Sequence, residues 1–541
     1  MTSYRRYLKR IIPCVVLFLA LVVIVIFNLP NKKPSNPVII PDDNTPLSDR
    51  IQAKASFYLF NPGDFTPDFT NVTPDLAEYI GEGTVYFTGD IYNNPSEVSS
   101  LIVSEPNYSS FLPSDKAVSW GSIYLYNESK EICVIGLSTD KSEVDPIAVD
   151  DPSSVRTYGA KGDGVTDDTA AIIETLKNNP DGKVYFPRGT YVISSRIRIP
   201  SNMQIIGDGA SSVIIAAPGT GRGADMIKVD KATNVVFKNI CISGNSSINY
   251  ENMNDQDGIH LLELWNSDNI TVDNCSFIDN VYTAIRNVGS SNVTITNCHF
   301  KNTDCGFITL GSAASIHDLT ITNNSIDGHQ SSEPISLFAN SSHSNILIAN
   351  NTIINKAKAC GIFIGGKQHN NNVIIRDNTL NATASGIRVE SSSDVQVLRN
   401  SISNTVSGCG IKVMNCDNVI LDGNTCSNVQ QDGLQITDCS DVTINKLTAI
   451  NCGQATNDWV SIRFTGTKNS DITFTNSSIE YNNTTSKIGI IFNCETDIDM
   501  ENITYSNASI WLTKKSANTS LSVPASVKIR DQGQENTVTT H

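Results

Sequence analysis

Asp255, Asp257 and His260 lie within six residues of one another, in the longest turn of the chain, and Arg286 and Asp304 follow at positions that a repeating chain could bring alongside them. Two carboxylates can hydrolyse a glycosidic bond when they stand about 5.5 Å apart for retention or about 6.5–9.5 Å apart for inversion. Asp255 with Asp257, or either with Asp304, fits that requirement on spacing. The same neighbourhood suits β-elimination of a uronic acid, which needs a base near the proton at C5 and a cation on the adjacent carboxylate. His260 or an unprotonated Lys412 would be the base, and Arg286 or Arg388 the neutraliser. An epimerase needs these parts and a proton donor on the opposite face, for which Tyr250 stands in the same turn. Residue types alone leave the three chemistries open.

These residues meet only if the chain stacks them. From Asn234 one segment recurs, as NVVFKNICI at 234, NITVDNCSF at 269, NVTITNCHF at 292, NILIANNTI at 345 and DVTINKLTA at 441, and starts from 269 to 441 fall 22 to 27 residues apart. That is the length of one three-strand coil, and the period predicts a solenoid. Apolar residues alternate within each copy, so one face of the strand is buried. The seventh position is Asn324, Asn351, Asn378, Asn400 and Asn424 in five copies and Cys275 and Cys298 in two. Stacked asparagines predict an internal hydrogen-bonded ladder at a position that tolerates a left-handed turn. Cys305, Cys360 and Cys409 share another column, where cysteine serves as a small hydrophobe.

A second strand type follows each copy, with Ile259, Ile285, Phe307, Ile335, Ile362, Ile387, Ile411, Leu434 and Ile462 facing inward. The next residues then face outward: His260, Arg286, Ile308, Ser336, Phe363, Arg388, Lys412, Gln435 and Arg463. This stripe suits an acidic polysaccharide, with Arg286, Arg388, Lys412 and Arg463 for anionic groups and Phe363 for a sugar face. Glu333, carried in with the turn at 327–333, is a further substrate contact. Asp257, Glu333 and Asp432 fall in one column three and four rungs apart, too far to act as a catalytic pair.

A stack needs a beginning. Residues 155–209 supply a glycine-punctuated loop, then a helix from about Asp168 to Asn178 with Asp167 as its cap, then short β-rich runs at Lys183–Phe186, Tyr191–Ile193, Ile197–Ile199 and Gln204–Ile206. The run Tyr158-Gly159-Ala160-Lys161-Gly162-Asp163-Gly164-Val165-Thr166-Asp167-Asp168-Thr169-Ala170, with Val184-Tyr185-Phe186-Pro187, Gly189-Thr190-Tyr191 and Gly207-Asp208-Gly209, resembles the opening segment of the pectate-lyase-like superfamily. The resemblance implies a right-handed parallel β-helix of about ten or more three-strand coils, a carbohydrate cleft on its outward sheet face, and, from the phage tailspike branch, a homotrimer. It is nearly silent on reaction, because that superfamily contains hydrolases, lyases, epimerases and non-catalytic members. The polygalacturonase and mannuronan epimerase motifs are absent.

The chain has 541 residues with a formal net charge of -16, so nucleic acid is a poor partner by long-range attraction. Arg5, Arg6, Lys9 and Arg10 precede an uncharged run at 11–29 without a small-residue cleavage signal, which predicts an uncleaved membrane anchor with the bulk of the chain outside. The sequence divides into a cytoplasmic start at 1–10, the transmembrane anchor at 11–29, a Pro- and Asn-rich linker at 30–50, a small β-rich domain at 51–150, the β-helix at 151–512 and a tail at 513–541, read as disordered or as a capping strand. Most of the thirteen cysteines recur at repeat positions and read as stacking residues rather than a disulfide framework. No motif calls for a cofactor, and no nonapeptide repeat supports calcium. The reading is an all-β, membrane-anchored surface protein that works on acidic polysaccharide as a lyase or hydrolase, with a non-catalytic glycan-binding or adhesive protein as the alternative.

Overall fold

Left-handed corners shape every coil. At the first position of each repeat Asn234, Asn269, Asn292, Asn345, Asn372 and Asn418 have φ of 58°, 56°, 52°, 56°, 53° and 51°, and Asp318, Asp394, Asp441 and Asp471 take the same conformation. A second corner falls at the sixth position, at Asn239, Asn274, Asn297, Asn323, Asn350, Asp377 and Asn476, with Gly423 in one copy. Asn and Asp bear this backbone better than other side chains because their short polar groups bond locally. The seventh position, where the repeat placed the turn, is not left-handed. It carries the ladder alone.

That ladder is continuous. The main-chain N–H and Nδ2 of Asn324 both donate to Asn351 Oδ1 at 3.0 Å, and those of Asn351 both donate to Asn378 Oδ1 at 2.9 Å. Asn378 to Asn400 and Asn400 to Asn424 repeat the pattern at 2.9–3.1 Å. Each Nδ2 also donates to a main-chain carbonyl, those of Ile295, Ile321, Ile348, Ile375 and Val397 in turn. The five side chains are buried, and from Asn324 to Asn400 both Nδ2 hydrogens have a partner in place of water.

The computed structural model describes residues 151–541, apart from 180–181, 220–224, 247–258, 311–314, 328–332, 340, 355–358, 457 and 483–486, and the backbone of four strands before them. Those four, Ser56–Phe60, Thr84–Thr88, Gly121–Asn127 and Lys130–Leu137, form a sheet of their own over the runs expected to be strands. The span expected at 11–29 and the linker at 30–50 lie outside the described residues. Among the described residues no helix is long and apolar enough to cross a membrane.

From Asp163 onward the strands form one stack of 35, and its pairings are parallel, each coil to the coil before and after it. One coil reads His343–Ala349, Thr352–Ile354, Cys360–Gly366, and its three strands pair with Asn370–Arg376, Thr379–Asn381 and Ser385–Leu398 of the next. The parallel β-helix is therefore present as expected. Its interior is filled by stacked columns, Val373 on Val395 on Val419 and Ile362 on Ile387 on Ile411, all buried. Each such side chain contributes about 1.5–3 kcal/mol by leaving water. Phe277 stacks on Phe300 and Phe464 on Phe492, at 5.2 and 5.0 Å between centroids.

Near the start, helix α1 (Thr169–Asn178) buries Ile172 and Leu176 against the same interior that Phe186, Ile197 and Ile214 line. Asp167 holds its first turn, with Oδ1 accepting from the Thr169 N–H at 3.0 Å, while Asp168 turns back to accept from the N–H groups of Lys161 and Gly162. At the other end the stack runs past 512: Ile529–Asp531 pairs with Ala508–Leu512, and Ser520–Val523 pairs with Thr537–Thr540. Strands, rather than a disordered tail, follow there. The ten cysteines described are free thiols, all buried but Cys360, and those of Cys275, Cys298, Cys416 and Cys439 donate to main-chain carbonyls. Burial pushes the Cys241, Cys426 and Cys452 thiols up, so they stay protonated.

Candidate functional site

The strands of the second type lie side by side on one face, and their register fixes which residues share a column. Lys228, Glu263, Arg286, Ile308, Ser336, Phe363, Arg388, Lys412, Gln435 and Arg463 follow one another across ten rungs. Eight of the nine residues expected in that outward column are there. His260 is not. Leu262, not Ile259, stands opposite Ile285, so the pattern slips by three residues and Glu263 takes the place assigned to His260. His260 stands opposite Asp225, in the edge column that passes Thr283 and reaches Glu333, Cys360, Ser385 and Cys409. In that column His260 holds the place that the sequence pattern had given to Asp257. Ser336 is buried, which removes it from the exposed stripe.

In the first coils the face is a closed ionic network. Glu263, 2 % exposed, takes Lys228 Nζ at 2.6 Å on Oε2 and Arg286 Nη1 at 3.0 Å on Oε1. Asp225 pairs with Arg196 Nη2 at 3.0 Å. Burial first, and then the neighbouring Glu263 carboxyl, raise the Asp225 pKa to about 6, so Asp225 takes up a proton in mild acid while Lys228 and Arg286 hold Glu263 ionised. His260 is buried against Tyr282, 4.8 Å between ring centroids, with Nε2 3.2 Å from Arg286 Nη1. Burial, and secondly the Arg286 charge, push its pKa down to about 3. The ring is therefore neutral, and since a guanidinium only donates, Nε2 accepts and Nδ1 carries the hydrogen. The lone pair that a general base would use is already engaged. Arg286, expected to hold an anionic substrate group, is neutralised by Glu263.

Asp255, Asp257 and Tyr250 lie outside the described residues. So does the side chain of Asp304, whose backbone belongs to the strand His299–Leu310. The expected hydrolytic pairs are thus not placed. Glu333 and Asp432 stand four rungs apart in the edge column, as the pattern required. Asp432 is fully buried, bonded to Arg463 Nε at 2.7 Å and Nη2 at 3.2 Å and to the Val460 N–H at 3.0 Å. Among the described residues no group of three or more His, Cys, Asp or Glu converges as a metal site would require.

The middle coils are different. Phe338, 50 % exposed, stacks on Phe363 with centroids 5.7 Å apart and an interplanar angle of 22°. The Arg388 guanidinium sits 5.0 Å from the Phe363 centroid, held from behind by Glu390. Lys412, on the next rung, is half-buried, and no carboxylate lies within ion-pairing distance of it among the described residues. Two rungs on, Arg463 covers Trp459 at 5.5 Å. Of the expected contacts the structure therefore brings Phe363, Arg388 and Lys412 together on adjacent rungs and ties Arg463 to Asp432. Sequence reasoning missed Phe338, Glu263 and Asp225. An acid between Leu262 and Leu264 was the available signal for Glu263.

This arrangement can hold a sugar ring against an aromatic face and an anionic group against an ammonium. Two family models match the chain: rhamnogalacturonase A/epimerase, pectate lyase-like, over residues 153–412, and right-handed β-helix region over residues 335–522. A preneck appendage protein of Bacillus phage PZA is 36% identical over 98 residues, which are 17% of this chain and 11% of that protein. Plasmin and fibronectin-binding protein A of Streptococcus pneumoniae is 27% identical over 197 residues, 32% of this chain and 27% of that protein. The chain thus spans a minor part of the curated relatives it matches. Among solved structures, an exopolygalacturonase from Thermotoga maritima aligns at 16% identity and a TM-score of 0.46, covering 66% of this chain and 91% of its own.

Proposed function

Because residues 153–522 belong to the pectate-lyase-like superfamily of right-handed parallel β-helices, we propose that this chain binds acidic polysaccharide on its outward sheet face. One observation carries the reading: the exposed Phe338–Phe363 stack has Arg388 over one ring, and one rung beyond stands Lys412, with no carboxylate in ion-pairing distance among the described residues. A pyranose stacks on the aromatic pair, and a uronate carboxylate reaches Lys412. Binding takes precedence over cleavage because three acids described on this face are engaged, Glu263 by Lys228 and Arg286, Glu390 by Arg388 and Asp432 by Arg463, which leaves Glu333 of the edge column without a second carboxylate beside it among the described residues. The plasmin and fibronectin-binding protein of Streptococcus pneumoniae, similar to 32% of this chain, is compatible with a binding role. In this reading the basic cluster before 11–29 and the uncharged run itself hold the solenoid outside a membrane.

Gel retardation of the full chain in polygalacturonate and in alginate tests the proposal. Retardation by an acidic polymer, lost on Phe363→Ala and weakened on Lys412→Ala, is expected; equal mobility with and without polymer overturns it. The same incubations distinguish catalysis. Ultraviolet-absorbing unsaturated ends would assign a lyase, new reducing ends alone a hydrolase, and either would replace binding as the primary function.

A further inference from the structure

A second buried column runs down the corner where each strand of the outward face turns into the next repeat. Along it a main-chain N–H donates to the side chain one rung on: Ser267 to Ser290 Oγ at 2.9 Å, Ile316 to His343 Nδ1 at 3.2 Å, His343 to Asn370 Oδ1 at 3.1 Å and Cys439 to Asn469 Oδ1 at 3.0 Å. All of these residues are buried. Each coil is tied to its neighbour at this corner by an acceptor that the neighbour supplies.

His343 is the one acceptor among them that takes up a proton between neutral and mildly acidic pH. A hydroxyl or amide oxygen accepts throughout that range. Nδ1 accepts only through its lone pair, so the neutral ring carries its hydrogen on Nε2, which is buried and has no partner. A proton from solvent added at Nδ1 therefore takes the lone pair that holds the Ile316 N–H, and it leaves a charge in the interior. Nothing balances that charge. His317 and Asp318 on the strand before it, and Lys367 and His369 in the turn after it, are exposed, and Arg376 on the following strand is paired with Asp377. The strands Ile335–Ala339 and His343–Ala349 of its own coil carry no acid. Burial alone lowers its pKa, to about 4.

The same corner joins His343–Ala349 to Ile335–Ala339, the strand that bears Phe338. The geometry points to a proton-operated joint at His343: neutral, it ties its coil to the one before and holds Phe338 against Phe363; protonated, it frees the Ile316 N–H and lets the coils part there. Resting on the reading that the Phe338–Phe363 stack takes a sugar, the joint makes release of polysaccharide in acid a property of this chain.

Unfolding of the full chain by denaturant tests the joint with no polysaccharide present. The ring is depressed in the folded state, so its contribution to stability is whole above about pH 6.5 and is lost as pH falls towards 4. His343→Asn places an amide oxygen where Nδ1 accepts, as Asn370 does one rung on, and does not titrate. Parent and variant are expected to match at neutral pH, and below it the unfolding constant of the parent rises by up to about tenfold per pH unit over that of the variant. His343→Gln, with a longer amide, is the second variant. Parallel pH curves overturn the joint, and so does failure of both variants to fold at neutral pH, because an amide then does not replace the ring. Gel retardation in polygalacturonate at about pH 4.5, inside that window, should be weakened in the parent and kept in His343→Asn; equal weakening in both overturns the link to Phe338. Absence of retardation at neutral pH overturns the sugar reading and leaves the unfolding result to decide the joint.

Discussion

One corner of each coil repeats itself, and one face does not. From Asn324 to Asn424 the seventh position holds the same residue on five successive rungs, buried each time and joined to the next by the same bond at all four steps. Across a similar stretch the outward column runs Ser336, Phe363, Arg388, Lys412, Gln435. An amide that must satisfy the coil above and the coil below cannot change alone, whereas an outward side chain answers only to its neighbours and to what lies outside. Repetition here carries stability and variation carries recognition.

Asn378→Ala is the severest test of that division. It leaves the N–H and Nδ2 of Asn351 without their shared acceptor and removes the donor to Asn400 and to the Ile348 carbonyl. At about 1–3 kcal/mol for each buried group left unmade, a loss of about 3–5 kcal/mol is expected, read by denaturant unfolding, with polysaccharide affinity unchanged in the folded fraction. A larger effect on affinity than on stability would erase the distinction. Glu263→Gln asks whether the first coils of the face belong to the stability side. Removing the charge between Lys228 and Arg286 should cost about 3 kcal/mol and leave glycan retardation as it was.

Asp225→Asn refines the same point through pH. The Asp225 pKa is raised in the folded state, so its contribution weakens as pH climbs from about 4 to about 6. His260 is depressed to about 3 and acts in the opposite sense over that window, stabilising the fold as pH rises. The two slopes oppose each other. Asp225→Asn removes the opposing slope of Asp225, and the thermal midpoint should rise more steeply with pH between 4 and 6 than in the parent. A parallel pair of curves would show that Asp225 does not take up a proton in that window. The smallest stability change belongs to Phe363→Ala, about 1 kcal/mol from the lost ring stack and its cation, although its effect on glycan binding is expected to be the greatest of the four.

The repeat was legible because an obligatory hydrogen-bonding group must return at the same place in every coil, and Asn324, Asn351 and Asn378 do so. The corner was harder to read. Asparagine occupies the first, sixth and seventh positions for two separate reasons, left-handed backbone at the first two and amide bonding at the third, and composition alone does not divide them. The face was read correctly from Arg286 to Arg463, where apolar and polar residues alternate. It slipped at His260 because Ile259, His260, Leu261 and Leu262 are all buried, and a run without alternation has no phase. Neither Asp225 nor Phe338 was visible, since each matters through a partner on another rung. Lys412 was visible as a cation, but its freedom from a carboxylate is a property of three dimensions only.

Each coil pairs only with the one before it and the one after it. The molecule can consequently be lengthened or shortened in whole turns, by duplication or deletion of some two dozen residues, without any distant part being rearranged. Evolution acting on such a chain adjusts reach as a carpenter adjusts a rule, by adding or removing divisions, and keeps the spacing of the marks.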